Sequence, residues 1–598
     1  MFRDSLLSRL IRIIILATLL AAPASAGEET NVISLFDRET GVRIEALLVG
    51  RDTQVGPFIG AARVLSHEQM FEFYQQREFL PIWIDGWYLK PAAHTLLETL
   101  RNAGAHGLCS SDYLLSELEG LTLVHTGYAW HLPLGADRRA VLDLYLSQAF
   151  LTYATHMVEG QVDPSLAHVD WNARRRKADL VKLLEYAIEN DRLTQVLEDL
   201  VPPHAEYRQL VAALDDYQKI AALGGWPVIP PGPTIRPGDL DERVPLLRDL
   251  LIRTGDLDTV TEVTDAYDPA TGEALQRFQA RHGLVSDGAV GLKTLEALNV
   301  PVEERVHQIE LNLERWRWMP KSFGDRHIRV NVADFSLEVV EDARLVMQMS
   351  VVVGTQYRKT PVFSASMTYL EFAPYWTVPP TILREDKLPL IKRNPGYLEE
   401  KHYRIVAYND ARKFIDPWQI DWKSVTASNF PGLLRMEPGP WNPLGRVKFM
   451  FPNSHNVYLH DTNEASLFDK NIRSFSSGCI RIERPRELAG YLMQKELDDK
   501  RLQGLFKATS PVRVSIAALP IHIQYWTAWV DREGLMHFRP DVYFRDLDLQ
   551  IALNEPAYRV MDQLQAGAGT NLPIDNNRLE EVFEPTESND GADGRTEG

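Results

Sequence analysis

Ser476-Ser477-Gly478-Cys479-Ile480-Arg481 carries one of two cysteines in 598 residues. His460 lies 19 positions upstream, in Val457-Tyr458-Leu459-His460-Asp461-Thr462. A thiol is a weak nucleophile until it loses its proton, and an imidazole within reach can take that proton. Small residues before the thiol leave room for a carbonyl to approach, and Gly478 lets the backbone turn tightly beneath it. Arg481 adds a fixed positive charge, suited to holding a substrate carboxylate or to favouring a thiolate. The chemistry this set implies is acyl transfer through a cysteine. The competing reading of a lone cysteine is a small buried apolar residue.

The elements around the pair must bring it together. Asn456 to His460 reads as a strand, and alternation places Tyr458 and His460 on one face, expected to look onto the thiol. Asp461 then points away from that face, which argues against a third catalytic role. Ile328, Val330 and Val332 alternate, as do Leu345, Met347, Met349 and Val351, with a polar turn at Glu341–Arg344. Val351 to Gly354 continues as a buried strand, followed by Lys359-Thr360-Pro361. Gly445–Phe451 returns to strand, Pro485 opens a helix, and Tyr525–Asp531 reads as a late strand. Residues 327–555 are therefore expected to form a β-rich domain, entered by a connecting helix in 301–326. Within it, 374–443 is punctuated by Pro and Gly and holds Trp376 and Trp441. Such a stretch suits a lid or binding loop.

The pattern Tyr-Leu-His-Asp-Thr, a spacer of under twenty residues, then Ser-Ser-Gly-Cys-Ile-Arg resembles the L,D-transpeptidase signature of the YkuD type. Ser477 stands where most members carry a second His, as in the large multidomain YcbB-like branch. The Val-Gly strand end, the Thr-Pro that follows and Thr527-Ala528-Trp529-Val530-Asp531 are similar too. The resemblance implies attack by Cys479 on a peptidoglycan tetrapeptide stem, release of D-alanine and formation of a 3→3 cross-link. His460 would act as acid and base, with the oxyanion held by backbone N–H groups near Gly478 and by Tyr458. Arg481, Ser477, Ser476, Trp376 and Trp441 are the candidate substrate contacts. The resemblance also implies a capping role for 374–443 and acylation by carbapenems. Opening of the same acyl-enzyme by water, an L,D-carboxypeptidase, and a non-catalytic wall-binding scaffold stay open as alternatives.

Upstream, residues 27–226 read as a helical scaffold. Leu96, Leu97 and Leu100 follow helical spacing, a helix from Arg139 to Val158 is apolar around most of its circumference, and a third pattern runs from Ala178 to Leu200. Trp83 and Trp87 suit either core packing or a sugar groove. A Pro/Gly-rich linker, 227–237, separates this region from a small module at 238–300. Leu246, Leu247, Leu250 and Leu251 mark its first helix. Ala274, Leu275 and Phe278 mark a second, begun near Asp268. Phe278-Gln279, His282-Gly283-Leu284, Asp287-Gly288, Val290-Gly291 and Thr294 closely resemble a peptidoglycan-binding domain. His282 ends a helix, where a charged imidazole would suit the dipole. The fold class expected is multidomain α+β.

Residues 1–26 pair basic Arg3, Arg9 and Arg12 with a short apolar run and Ala24-Ser25-Ala26, the pattern of a secretory signal peptide. The uncharged run is shorter than the ~20 residues a span requires. The expected location is the periplasm, with membrane attachment only if the leader stays as an anchor. About 570 residues remain, enough for three or four domains at ~100–200 residues each. A formal charge of -18 argues against nucleic acid. Cys109 reads as an inert buried thiol, unpaired with Cys479. No ligand set at metal spacing stands out, and no metal, nucleotide or organic cofactor is called for. Peptidoglycan stem peptides are the implied partners, with other cell-wall synthesis proteins alongside. The acidic end of 556–598 carries almost no apolar residues and is expected to be disordered.

Overall fold

From residue 326 onward, alternating apolar residues pair into strands. The computed structural model describes residues 34–49, 67–86, 88–122, 135–167, 171–172, 176–258, 264–493 and 499–554. The leader, Trp87 and the acidic tail fall outside them. Among the described residues the main sheet has ten strands, eight of which form its barrel: β1 (Arg326–Asn331), β2 (Ser336–Glu341), β3 (Arg344–Gly354), β4 (Val362–Phe372), β5 (Val447–Met450), β6 (Leu459–His460), β7 (Ile480–Ile482) and β8 (Val512–Gln524). Their order is β5-β6-β7-β3-β2-β1-β8-β4, and β5 also pairs with β4, so the sheet closes on itself. Closure removes exposed edges. The turn between β2 and β3 uses Asp342 and Ala343 at φ 49° and 61°. Val330, Leu337, Val351, Val353, Leu370, Phe449, Leu459 and Ile480 fill the interior.

The stretch expected as a lid loop is a folded subdomain. Asp410–Ile415, Tyr403–Ala407, Leu433–Met436 and Trp376–Thr377 form a second sheet in that order. Leu383, Ile391, Leu398, Ile405, Trp422, Phe430 and Leu434 form a core of its own beside it. Pro and Gly broke the periodicity because the elements are short. The apolar residues between them still close a core. Helical residues Pro380–Ile382 and Leu388–Arg393 are joined by a π-helical turn at Leu383–Lys387. Such turns widen a helix locally and recur at functional sites.

In the scaffold, helix Ala136–Glu159 is buried on nearly every side, as its composition demands. The pattern over Ala178–Leu200 is two helices, Leu180–Glu189 and Leu193–Leu200, broken where Asp191 takes φ 52°. Trp83 is fully buried and gives its Nε1–H to Ser147 Oγ at 2.9 Å, so it packs and faces no sugar groove. The scaffold also enters the core of the main sheet. Strand Trp171–Asn172 pairs parallel with β4, and Tyr207, Leu210 and Leu214 of helix Ala205–Ala222 join the main apolar cluster. At Gly160 (φ 87°) a Cβ would sit 2.4 Å from Trp318 Nε1, so only glycine permits this close approach. Glu314 of the connecting helix Val302–Arg317 accepts the Gln161 and Val162 N–H groups at 2.6 and 3.1 Å.

The small module has helices Val244–Arg253, Pro269–Arg281 and Leu292–Leu298, and Asp268 caps the second by accepting from Thr271 N at 2.8 Å. His282 is not a charged dipole partner. Burial holds its pKa well below the ordinary imidazole value, and its Nδ1 donates to the Phe278 carbonyl. It stacks on Phe538 of the hairpin Ala528–Val530/Met536–Phe538. The face of the module that carries His282 is therefore spent on docking. The late strand is shorter than expected, since Tyr525, Trp526 and Thr527 instead pack on the connecting helix, Trp526 stacking on Trp316 at 4.5 Å. Cys109 is exposed, not buried, with its sulfur 3.0 Å from Ser111 Oγ. Both thiols are free. Among the described residues no helix is long and apolar enough to cross a membrane.

Candidate active site

Parallel pairing between β6 and β7 builds the site. Leu459 stands opposite Ile480 and His460 opposite Arg481. Stepping back one residue sets Tyr458 beside Cys479, and the Ile480 N–H donates to the Tyr458 carbonyl at 3.1 Å. Side chains alternate along each strand, so Tyr458, His460, Cys479 and Arg481 share one face while Leu459, Ile480 and Ile482 fill the interior. The Tyr458 and His460 rings lie 5.8 Å apart, edge to face. Nineteen residues of separation thus become adjacent strands.

His460 is buried, and its Nδ1 lies 2.5 Å from the Asp461 carbonyl oxygen. A carbonyl only accepts, so Nδ1 carries the hydrogen and Nε2 keeps its lone pair. The Asp461 side chain accepts from the backbone N–H of Arg446 and of Thr462 at 2.7 Å each, away from the imidazole. Burial, then the positive charge of Arg481, pushes His460 down to about 3, so the ring is neutral at pH 7. Burial pushes the Cys479 thiol up, against hydrogen bonds from Tyr458 and the charges of Lys448 and Arg481. Tyr458 is held well above its ordinary value by burial and by the cysteine beside it, so its hydroxyl stays a donor. The resting pair is thiol and imidazole, not an ion pair.

The nucleophile turn is fixed from within. Ser476 is buried. Its hydroxyl donates to the Cys479 carbonyl at 2.5 Å and accepts the Gly478 N–H at 3.1 Å. Its donor is spent inside the turn, so it shapes the loop in place of the substrate contact expected of it. The Gly478 N–H is likewise engaged and is not a free oxyanion donor. Gly478 itself takes φ 110°, a conformation side chains disfavour. Ser477 Oγ accepts from Arg358 Nη1 at 2.9 Å, and Arg358 continues to Glu385 and Asp386 of the cap at 2.7 and 2.8 Å. Arg481 is paired with Glu464, so its charge is shared before any substrate arrives.

A groove of about 730 Å³ runs between the cap and the barrel, with Cys479, His460, Tyr458, Ser477 and Arg481 along one wall. Trp376, Tyr397, Tyr403, His402 and Trp441 line the other. Trp441 stacks on His402 at 3.8 Å, and Lys387 Nζ lies 5.9 Å from the Trp376 ring and 5.8 Å from that of Tyr403. The structure brings Cys479, His460, Tyr458, Arg481, Ser476, Ser477, Trp376 and Trp441 to one groove, with Gly478 in the turn that carries the thiol. The reading missed Arg358, Lys387 and Glu464, because nothing in their spacing marks them. Among the described residues, no cluster of three metal-type ligands occurs.

Comparisons with known proteins assign the domains. Residues 325–514 match the L,D-transpeptidase catalytic domain, residues 241–298 a domain described as "Putative peptidoglycan binding domain", and residues 68–214 a scaffold domain. A Haemophilus influenzae protein named "Putative L,D-transpeptidase" is 32% identical over 250 residues. That match takes in 41% of this chain and 49% of the relative, so it spans about half the length of the curated protein. Among solved structures, an L,D-transpeptidase from Mycobacterium smegmatis is 12% identical, with 33% of this chain and 58% of that one covered at a TM-score of 0.17. One from Xylanimonas cellulosilytica is 13% identical, with 49% and 100% covered at 0.14. By its domains, this chain carries an L,D-transpeptidase catalytic domain of the YkuD type joined to a peptidoglycan-binding domain and a helical scaffold.

Proposed function

We propose that the protein joins peptidoglycan stems by 3→3 cross-links through a Cys479 acyl-enzyme. The observation that carries the reading is the β6–β7 pairing, which aligns Tyr458 and His460 with Cys479 on one groove wall. His460 Nε2 takes the thiol proton as sulfur attacks the carbonyl of the third residue of a tetrapeptide stem. The oxyanion is met by the Cys479 N–H and the Tyr458 hydroxyl, since the Gly478 N–H is already given to Ser476. The C–N bond breaks, His460 returns the proton to the departing D-alanine amine, and a thioester remains. A side-chain amine from a second stem then attacks the thioester. Its proton passes through His460 to the leaving sulfur, restoring the thiol.

Arg481, Lys387 and Lys401 face a groove that a stem peptide with free carboxylates would enter, and the aromatic wall offers stacking area. The signal-peptide pattern over residues 1–26 supports a reaction outside the cytoplasm, in the periplasm. Purified protein given tetrapeptide muropeptides should yield tripeptide-linked dimers and free D-alanine by mass spectrometry, and Cys479→Ala should yield neither. Tripeptides without dimers would assign the carboxypeptidase reaction instead. No change in the substrate, and no β-lactam adduct on Cys479, would leave only a wall-binding scaffold.

A further inference from the structure

We infer that Thr360 is the positioning residue that aims the oxyanion donor, an inference resting on the Cys479 acyl-enzyme reading above. Thr360 is fully buried beneath the nucleophile turn. Its hydroxyl donates to the Gly478 carbonyl at 2.9 Å and accepts the Gly354 N–H at 2.9 Å. A trans peptide unit is planar, so its C=O and N–H point in opposite directions. Tying the Gly478 oxygen to the interior therefore turns the N–H of the same peptide, that of Cys479, outward. The two groups flanking that peptide are occupied, the Gly478 N–H by Ser476 Oγ and the Cys479 carbonyl by the Ser476 hydroxyl. The Cys479 N–H is left as the donor adjoining the sulfur.

Thr360 is itself held on every polar atom. Its N–H donates to the Tyr543 hydroxyl at 3.3 Å, and its carbonyl accepts from Arg545 Nη2 at 3.2 Å. The Tyr543 hydroxyl in turn donates to the Gly354 carbonyl at 2.6 Å. The end of β3, the loop that leads into β4 and a carboxy-terminal segment nearly two hundred residues away converge on one peptide plane. A side chain placed only to fill space would not need its hydroxyl here, since valine has the same shape.

Two reactions of the same thiol separate positioning from general support. Carbapenem acylation passes through an oxyanion, whereas iodoacetamide alkylation does not. In the full chain, Thr360→Val should lower the acylation rate constant about a hundredfold. Alkylation of Cys479, followed by peptide mapping to separate it from Cys109, should stay within about threefold of wild type. Thr360→Ser should recover most of the acylation. Tyr543→Phe, which loosens Thr360 without touching its hydroxyl, should give a smaller acylation loss with alkylation again unchanged, and it serves should Thr360→Val not fold. Acylation at the wild-type rate in Thr360→Val, or a parallel fall in both reactions, would overturn the inference. A wild-type protein that takes no adduct at Cys479 would instead overturn the reading beneath it.

Discussion

Cys479 and His460 rest uncharged because the ring is buried, the half-buried thiol is largely enclosed by protein, and Arg481 repels a proton on the ring. Proton transfer must then accompany attack, with no thiolate waiting. A consequence is readable in pH. An imidazole of ordinary pKa would be mostly protonated at pH 5.5 and would lose about tenfold in general-base rate relative to pH 7.5. With His460 at about 3, β-lactam acylation should change by less than about threefold over that interval. Iodoacetamide, which receives no help from a base, should react with Cys479 ever faster through pH 9 without a neutral plateau. Stopped-flow absorbance measures both profiles. A tenfold acid loss, or a plateau near pH 7, would show a charged pair. These two residues were legible in the sequence because nucleophile and base must be particular types, and alternation predicted that Tyr458 would share the histidine's face. Their protonation was not legible, since burial and the Arg481 charge come from strands brought together by folding.

At the scale of elements, the loop between β3 and β4 serves both sides of the groove. Thr360 reaches under the nucleophile turn, while Arg358, two residues before it, reaches over to the cap. Arg358 joins Ser477 to Glu385 and Asp386, and its pKa is raised chiefly by the Asp386 carboxylate. Its side chain is a quarter exposed and its partners are 40% exposed, so solvent screening keeps the contribution to global stability small. Its effect should be local. Arg358→Ala should speed amide hydrogen exchange across 383–393 and raise KM for stem peptides more than it slows acylation by a small β-lactam. Unchanged exchange there would mean that the cap is held by its other contacts alone. The cap shows why element reading has limits. Its proline and glycine punctuation marked an insertion, yet a second sheet and its own core depend on pairings between Trp376–Thr377 and Leu433–Met436, nearly sixty residues apart.

For the whole molecule, buried neutral histidines couple the fold to pH. His106 and His522 are lowered to about 4, His460 to about 3, and His282 well below its ordinary value, burial being the leading cause each time. Their folded values lie below the unfolded value near 6.5, so the unfolded chain binds more protons in between. The stability they contribute is complete above about pH 6.5 and is lost as pH falls toward 4. At pH 5 each accounts for about 2 kcal/mol at most. Asp143, Asp461 and Asp546 have raised values and oppose the trend, so the net loss is smaller than that sum. Differential scanning calorimetry should show the melting temperature falling from pH 7 to pH 5, and a flat or rising profile would show that these rings take protons without cost to the fold. The amino-acid order by itself determined the residue types of the site, the periods of the helices and strands and the resemblance of the 238–300 module, because each is written within a few turns or one strand. Only the tertiary structure decided that the module's His282 face is spent on docking, that a scaffold strand enters the catalytic sheet, and that Thr360 lies beneath Gly478. Those depend on contacts between residues far apart in the chain, where only burial and geometry choose the partner.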